Sequence, residues 1–214
     1  MPKRSSALLL LCCTMALGVV IDRIAVVVGK HVIKSSDIER DLRVTEFLNR
    51  DKLDLSVAAR RKAAERLIDQ SIIRDDMERG EYRGASPSDT DAMLKSLTQD
   101  RFAGSEPRLK QDLAQYSLTE EQLQMELQWQ GDVLKFLDQR FRPGVVVTDE
   151  EVRTYYDQHQ AELKRQFPQA KTYEALEPKI RSSLEGERLN TGFETWLANA
   201  RKRTRIDYRQ GAFQ

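Results

Sequence analysis

The chain has 214 residues but only two cysteines and two histidines, too few to build most cofactor sites. The cysteines are the adjacent pair Cys12 and Cys13, and neither His31 nor His159 has a ligand-spaced partner, so a metal site lacks material. Ten glycines, six prolines and 7% aromatic residues argue against a many-turned β-sandwich and suit long helices. Neither sign of charge dominates: 35 Lys+Arg face 34 Asp+Glu, a formal charge of +1. That balance excludes a nucleic-acid-coating protein, and 40% hydrophobic residues exclude a charge-driven disordered chain. The apolar stretch Ala7 to Leu17 is shorter than the ~20 residues a bilayer span needs, and Asp22 and Arg23 close it off.

What is present at the start is an address. Lys3 and Arg4 precede that apolar stretch, and Ala16 and Gly18 supply small residues where a signal peptidase reads. Residues 1–18 are therefore expected to be a secretory signal cleaved after Gly18. An uncleaved anchor and a lipoprotein signal remain alternatives, the latter set back by Leu11 before Cys12. Cleavage would leave 196 residues and no stable membrane span. With Lys3 and Arg4 gone the charge becomes −1, and a cysteine-free product suits an oxidising compartment such as a periplasm.

The rest of the chain reads as a hairpin, a series of helices and a final strand. Ile24 to Val28, Gly29-Lys30, and Val32-Ile33 predict two strands joined by a two-residue turn in which Gly29 takes positive φ. Ser36 with Glu39 predicts the first helix cap, and Ser56 the start of a second helix with a stripe of Ala64, Leu67, Ile68, Ser71 and Ile72. Ser86-Pro87-Ser88-Asp89 is a further start signal, and a short amphipathic piece spans Pro107 to Tyr116. Leu118-Thr119 with Gln122-Leu123 combines a capping box with a hydrophobic staple, and Val147-Thr148 with Glu151-Val152 repeats the pattern. Thr172 opens the last helical region, which Pro178 is expected to interrupt after one turn. Ile206 and Tyr208 alternate with charged residues as a strand, which needs the N-terminal hairpin as partner. The fold expected is mainly α with a small antiparallel sheet, and residues 148–168 bridge or insert between two parts of one unit.

Catalytic chemistry finds few parts. Gly29-Lys30 follows a strand but lacks the preceding Gly and following Ser/Thr of a phosphate loop, having Ile24 and His31 there. His159 falls on an apolar helix face, where a packed, hydrogen-bonded imidazole is the usual state. With no mature cysteine and no His beside a Ser or acid motif, nucleophilic triads are missing, so no catalytic residue, metal or cofactor is expected. The basic run Arg201-Lys202-Arg203-Thr204-Arg205 complements a helix C-terminus, or contacts an acidic client or lipid headgroups. Met93, Leu97, Phe102, Tyr116, Met125 and Trp129 are flexible or flat apolar residues suited to binding varied segments; each can equally belong to the core.

The order of these motifs resembles a known family. Ile21-Asp22-Arg23-Ile24-Ala25-Val26-Val27-Val28-Gly29-Lys30-His31-Val32-Ile33 with Ser36-Asp37-Ile38, directly after a signal, is similar to the opening of SurA-like periplasmic chaperones. The likeness continues through Ala64 to Ile73, Val147 to Tyr156, and Leu176 to Ile206 with Trp196-Leu197 and Arg201-Lys202-Arg203. It implies a SurA or trigger-factor-type peptide-binding helical module: a chaperone domain over 19–142 with its hairpin, a bridging helix over 143–171, and a completing helix and strand over 172–214. Members usually carry parvulin-type prolyl isomerase domains between the equivalents of Tyr156 and the final helix, where this chain has only His159 to Tyr173. The resemblance thus implies an ATP-independent holdase without isomerase activity. Its clients would be unfolded or nascent outer-membrane proteins held in the periplasm, with the outer-membrane assembly machinery as a further partner. A non-catalytic envelope scaffold that binds one folded partner is the alternative.

Overall fold

The computed structural model describes residues 22–170 and 172–213, so the expected signal, with Cys12 and Cys13, lies outside the described residues. Strands β1 (Ile24–Val28) and β2 (His31–Lys34) form the expected hairpin, with Val28 opposite His31 and Gly29 at φ 56°. The left-handed backbone there is what glycine permits without a Cβ clash. Strand β3 (Ile206–Tyr208) joins the other edge of β1, Val28 facing Ile206 and Val26 facing Tyr208, in the order β2-β1-β3. Both ends of the described chain therefore meet in one antiparallel sheet.

Helix α1 (Ser35–Asn49) follows β2 without a loop, which displaces the expected cap. Lys34 takes the cap position and its N–H donates to the Asp37 carboxylate at 3.0 Å. Ser36 sits inside the first turn, and its hydroxyl donates to Asp22 at 2.5 Å rather than capping with Glu39. Helix α2 (Val57–Arg79) begins where Ser56 accepts from the Ala59 N–H at 3.2 Å. Its Ala64, Ile68 and Ile72 pack on Ala25, Val26 and Val28 of the sheet and on Ile38 and Leu42 of α1. Each large side chain so buried contributes roughly 1.5–3 kcal/mol over exposure.

Helices α3 (Pro87–Phe102), α4 (Glu106–Gln115) and α5 (Glu120–Arg140) follow their start signals. Ser86 and Asp89 cap α3 reciprocally, and Thr119 and Gln122 cap α5. Leu118 and Leu123 are both buried, as a staple requires, in a second core with Phe47, Leu109 and Leu113. A third core is largely aromatic: Phe136 meets Tyr82, Phe141 and Trp196 at ring separations of 5.2, 5.8 and 5.6 Å.

After a 3-10 turn at Arg142–Gly144, α6 (Asp149–Gln166) is capped by Thr148 and Glu151. Its ladder is distorted at His159 (φ −119°, ψ 21°), whose ring stacks on Tyr155 and whose Nδ1 lies 2.9 Å from the Tyr155 carbonyl. Helix α7 (Tyr173–Arg203) runs unbroken through Pro178, contrary to expectation. A proline near a helix start forfeits one backbone bond, and Leu176 and Ile180, both buried on α6, hold the turns on either side of it. The fourth core joins Val147, Val152 and Leu163 to these two α7 residues.

Candidate functional site

The C-terminal part of α2, the start of α3 and the outer face of α5 enclose a groove. Trp129 of α5 forms its base: the residue is 6% exposed, and the Arg74 guanidinium lies 4.1 Å from its ring centroid. Three hollows of about 460, 180 and 400 Å³ meet at this Arg74–Trp129 pair. The largest runs between Pro87 and Thr90 on one wall and Met125 and Gln128 on the other. Met125 is 50% exposed and offers a flexible apolar side chain at the rim.

The walls are fixed by a hydrogen-bond network. The Thr90 hydroxyl donates to Gln128 Oε1 at 2.6 Å, and Gln128 Nε2 donates to the Ala85 carbonyl and to Asp132 at 2.9 and 2.8 Å. Asp132 also accepts from the Ala85 N–H at 2.8 Å, tying the loop before α3 to α5. Helix α3 approaches closely because residue 131 is glycine; a Cβ there would stand 2.7 Å from that of Ala85.

The charges here are unevenly placed. Arg74 is the cation at the junction, and burial pushes its guanidinium down from its ordinary value against the opposing pull of Asp132, Glu126 and Glu78. It makes no hydrogen bond or ion pair among the described residues and keeps its N–H donors available over the aromatic face. Burial raises the Glu126 carboxyl above its ordinary value, although Gln130 donates to it at 3.0 Å. The arrangement suits an extended chain with apolar side chains and backbone carbonyls.

Of the six residues the sequence suggested for client contact, Met125 and Trp129 line the groove. Trp129 lies largely beneath Arg74 and presents only its margin. Met93, Leu97, Phe102 and Tyr116 do not join them; they are half-buried around the Phe47 core. Tyr116 stands edge-on to Phe47 at 5.7 Å and donates its hydroxyl to the Asp51 carbonyl at 2.9 Å. Arg74, Thr90, Gln128 and Asp132 were not anticipated. Arg74 and Trp129 are 55 positions apart on different helices, so no local pattern joins them.

The architecture is that of a helical module closed by a small antiparallel sheet that unites its two ends. No family model and no curated protein matches the sequence. Among solved structures the fold is similar to one from Campylobacter jejuni, where the virulence factor PEB4 and the periplasmic protein Cj1289 are described as two structurally related SurA-like chaperones. The TM-score is 0.55 at 14% identity, over 89% of this chain and 100% of that one. The fold is thus SurA-like. Among the described residues no helix is long and apolar enough to cross a membrane, and no cluster of three or more His, Cys, Asp or Glu could hold a metal ion.

Proposed function

We propose that the protein is an ATP-independent periplasmic chaperone that holds unfolded segments of outer-membrane proteins and does not catalyse prolyl isomerisation. The observation that carries this reading is the groove around Arg74 and Trp129, with half-exposed Met125 at its rim, set in a SurA-like fold. A surface that favours unfolded over folded chains lowers the free concentration of aggregating species by mass action, with no nucleotide required. Nascent β-barrel strands, apolar on alternate positions, are suitable clients. The expected export signal supports the compartment. The short link 167–172 between α6 and α7 supports the absence of an isomerase domain.

The test is light scattering from several unrelated unfolded proteins, one of them a β-barrel, diluted from denaturant with and without the full chain. Aggregation is expected to fall for all of them, and Arg74→Ala is expected to weaken the effect. Saturable binding to one native envelope protein with no holdase effect would instead establish the scaffold alternative. A proline-peptide assay is expected to stay at the uncatalysed rate.

A further inference from the structure

The groove around Arg74 and Trp129 is far more acidic than the chain that forms it. Over the whole sequence 35 Lys+Arg balance 34 Asp+Glu. The three hollows that meet at Trp129 are lined by eight carboxylates and only two cations, Arg40 and Arg74. Three of the acids are matched within the protein: Asp37 by Arg40 at 2.7 Å, Glu78 by Lys30 at 3.0 Å, and Asp41 by Arg66. The other five, Glu81, Asp91, Glu121, Glu126 and Asp132, stand in no ion pair among the described residues, and of the lining cations only Arg74 is left to face them.

The fold does not use up these charges. Glu81, Asp91 and Glu121 are exposed, and Asp132 accepts from Ala85 and Gln128 without being neutralised. Glu126 is half-buried. Burial, offset only in part by Gln130 and with Asp41 adding to it, holds its carboxyl above the ordinary value, the mark of an anion short of cations. The five come from different elements: Glu81 follows α2, Asp91 lies in the start of α3, and the rest belong to α5. They therefore flank the apolar surface of Met125 and Trp129 from several sides and do not sit on one helix face. A single exposed pairing is weak, but like charges around one concave surface together attract the opposite sign and repel their own.

We propose that this groove selects unfolded segments in which Lys or Arg flanks a large apolar residue, and turns away segments rich in Asp and Glu. The proposal rests on the chaperone reading of the groove and names the kind of segment it prefers. The apolar residue packs on Met125 and the margin of Trp129. Lys and Arg suit the rim because their methylene stems cover apolar surface while their charged heads reach outward to carboxylates. Arg74 does not oppose them, since it already lies in the field of Asp132, Glu126 and Glu78, and its N–H groups are left for the client's backbone carbonyls. An anionic segment gains one attractive group, Arg74, and meets the five unmatched acids.

The experiment is calorimetric titration of the full chain with acetyl-Lys-Leu-Phe-Leu-Lys amide and its Gln and Glu counterparts, in about 0.02 M and about 0.5 M NaCl. At low salt the Lys peptide is expected to bind roughly fivefold more tightly than the Gln peptide, as two exposed ion pairs of ordinary strength give, and the Glu peptide more weakly than both. High salt is expected to draw the three together. Glu81→Gln, Asp91→Asn and Glu121→Gln combined are expected to abolish the ranking. Glu150→Gln, Glu187→Gln and Glu194→Gln combined remove the same charge from exposed positions outside the groove and are expected to keep it. Equal binding of the three peptides, preference for the Glu peptide, a ranking that survives the groove substitutions, or one lost equally with the outer set would each overturn the proposal. No binding by any peptide while unfolded proteins are still kept from aggregating would overturn it and leave the chaperone reading standing. An intact ranking with no suppression of aggregation would count against the chaperone reading alone.

Discussion

The two ends of α7 lie in cores of unlike construction. At its C-terminal end Phe193 and Trp196 join the rings of Phe136 and Phe141, Arg140 lies over them, and Arg201 bonds to Glu65 and Asp69. At its N-terminal end Leu176 and Ile180 enter a small core with Val147, Val152 and Leu163, pinned at the surface by Arg181 on Asp149 at 2.5 Å and by Arg188 on Glu151. Between the two stands Gly186, with open space around it. The body is closed by contacts between the far ends of the described chain, whereas the α6–α7 arm is built from neighbouring residues, its core within 147–184 and its outermost ion pair at Arg188. A body closed that way opens as a whole, and an arm of neighbouring residues can open by itself.

The largest expected effect follows from this contrast. Phe136→Ala removes a fully buried ring that touches three others and should cost about 3–5 kcal/mol in urea unfolding, with amide protection lost throughout the body. Ile180→Ala should cost about 2–5 kcal/mol, but its effect on hydrogen exchange should stay within 147–184. If β1 amides lost protection equally in both variants, body and arm would be one cooperative unit and the contrast would fail.

Within the body, the α3–α5 contact is the narrowest point. Gly131→Ala forces a Cβ against Ala85 and should cost about 1–3 kcal/mol, as overpacking does. The thermal midpoint should fall, and exchange should rise first in the loop before α3, where Ala85 is held by Asp132 and Gln128. An unchanged midpoint would mean the groove wall yields freely, making the groove softer than its hydrogen bonds imply.

Acid should separate the two regions differently. In the arm, the Thr148 N–H first and Arg188 next hold Glu151 below the ordinary glutamate value of 4.5, and Glu174 is likewise lowered, first by its own N–H and then by Thr172. A lowered carboxylate contributes stability above its unfolded value that is lost as pH falls through the folded one. The body mixes signs. Asp22 and Asp89 are lowered by bonds from Ser36 and Ser86, but burial raises Asp41 and Glu126, whose ionisation penalises the fold at neutral pH and ceases to as pH falls. Below pH 4.5 the arm should therefore loosen before the body, seen as earlier exchange in α6 than in α2. The reverse order would show that the surface carboxylates of the arm do not hold it.

Much of this molecule was legible because local chemistry wrote it. Ser56, Ser86, Thr119 and Thr148 each cap the helix their spacing predicts, and Gly29 turns the hairpin. The first cap misled because β2 runs straight into α1, which moves the cap to Lys34 and leaves Ser36 to Asp22. Pro178 misled because burial of Leu176 and Ile180 outweighs the single bond it removes. The site was less legible than the fold. An apolar residue at helical spacing looks the same whether it faces a core or a client, so Met93 and Tyr116 were indistinguishable from Met125. Arg74 carried no signal at all, since its role comes from a tryptophan brought beside it by packing.

The smallest expected change in stability is also the one that separates core from groove most directly. Met125 is half exposed, so Met125→Ser should leave stability within about 0.5 kcal/mol of the parent, the usual range for surface positions. Met93, half-buried with its sulfur 3.8 Å from where a Gly131 Cβ would stand, should cost several-fold more when changed to Ser, because it leaves both a void and a polar group among apolar neighbours. Aggregation suppression per folded molecule should show the opposite ranking, weakened by Met125→Ser and unchanged by Met93→Ser once the unfolded fraction is subtracted. Equal loss from both would return Met93 to the client surface; loss from neither would place the client away from the groove that Arg74 and Trp129 define.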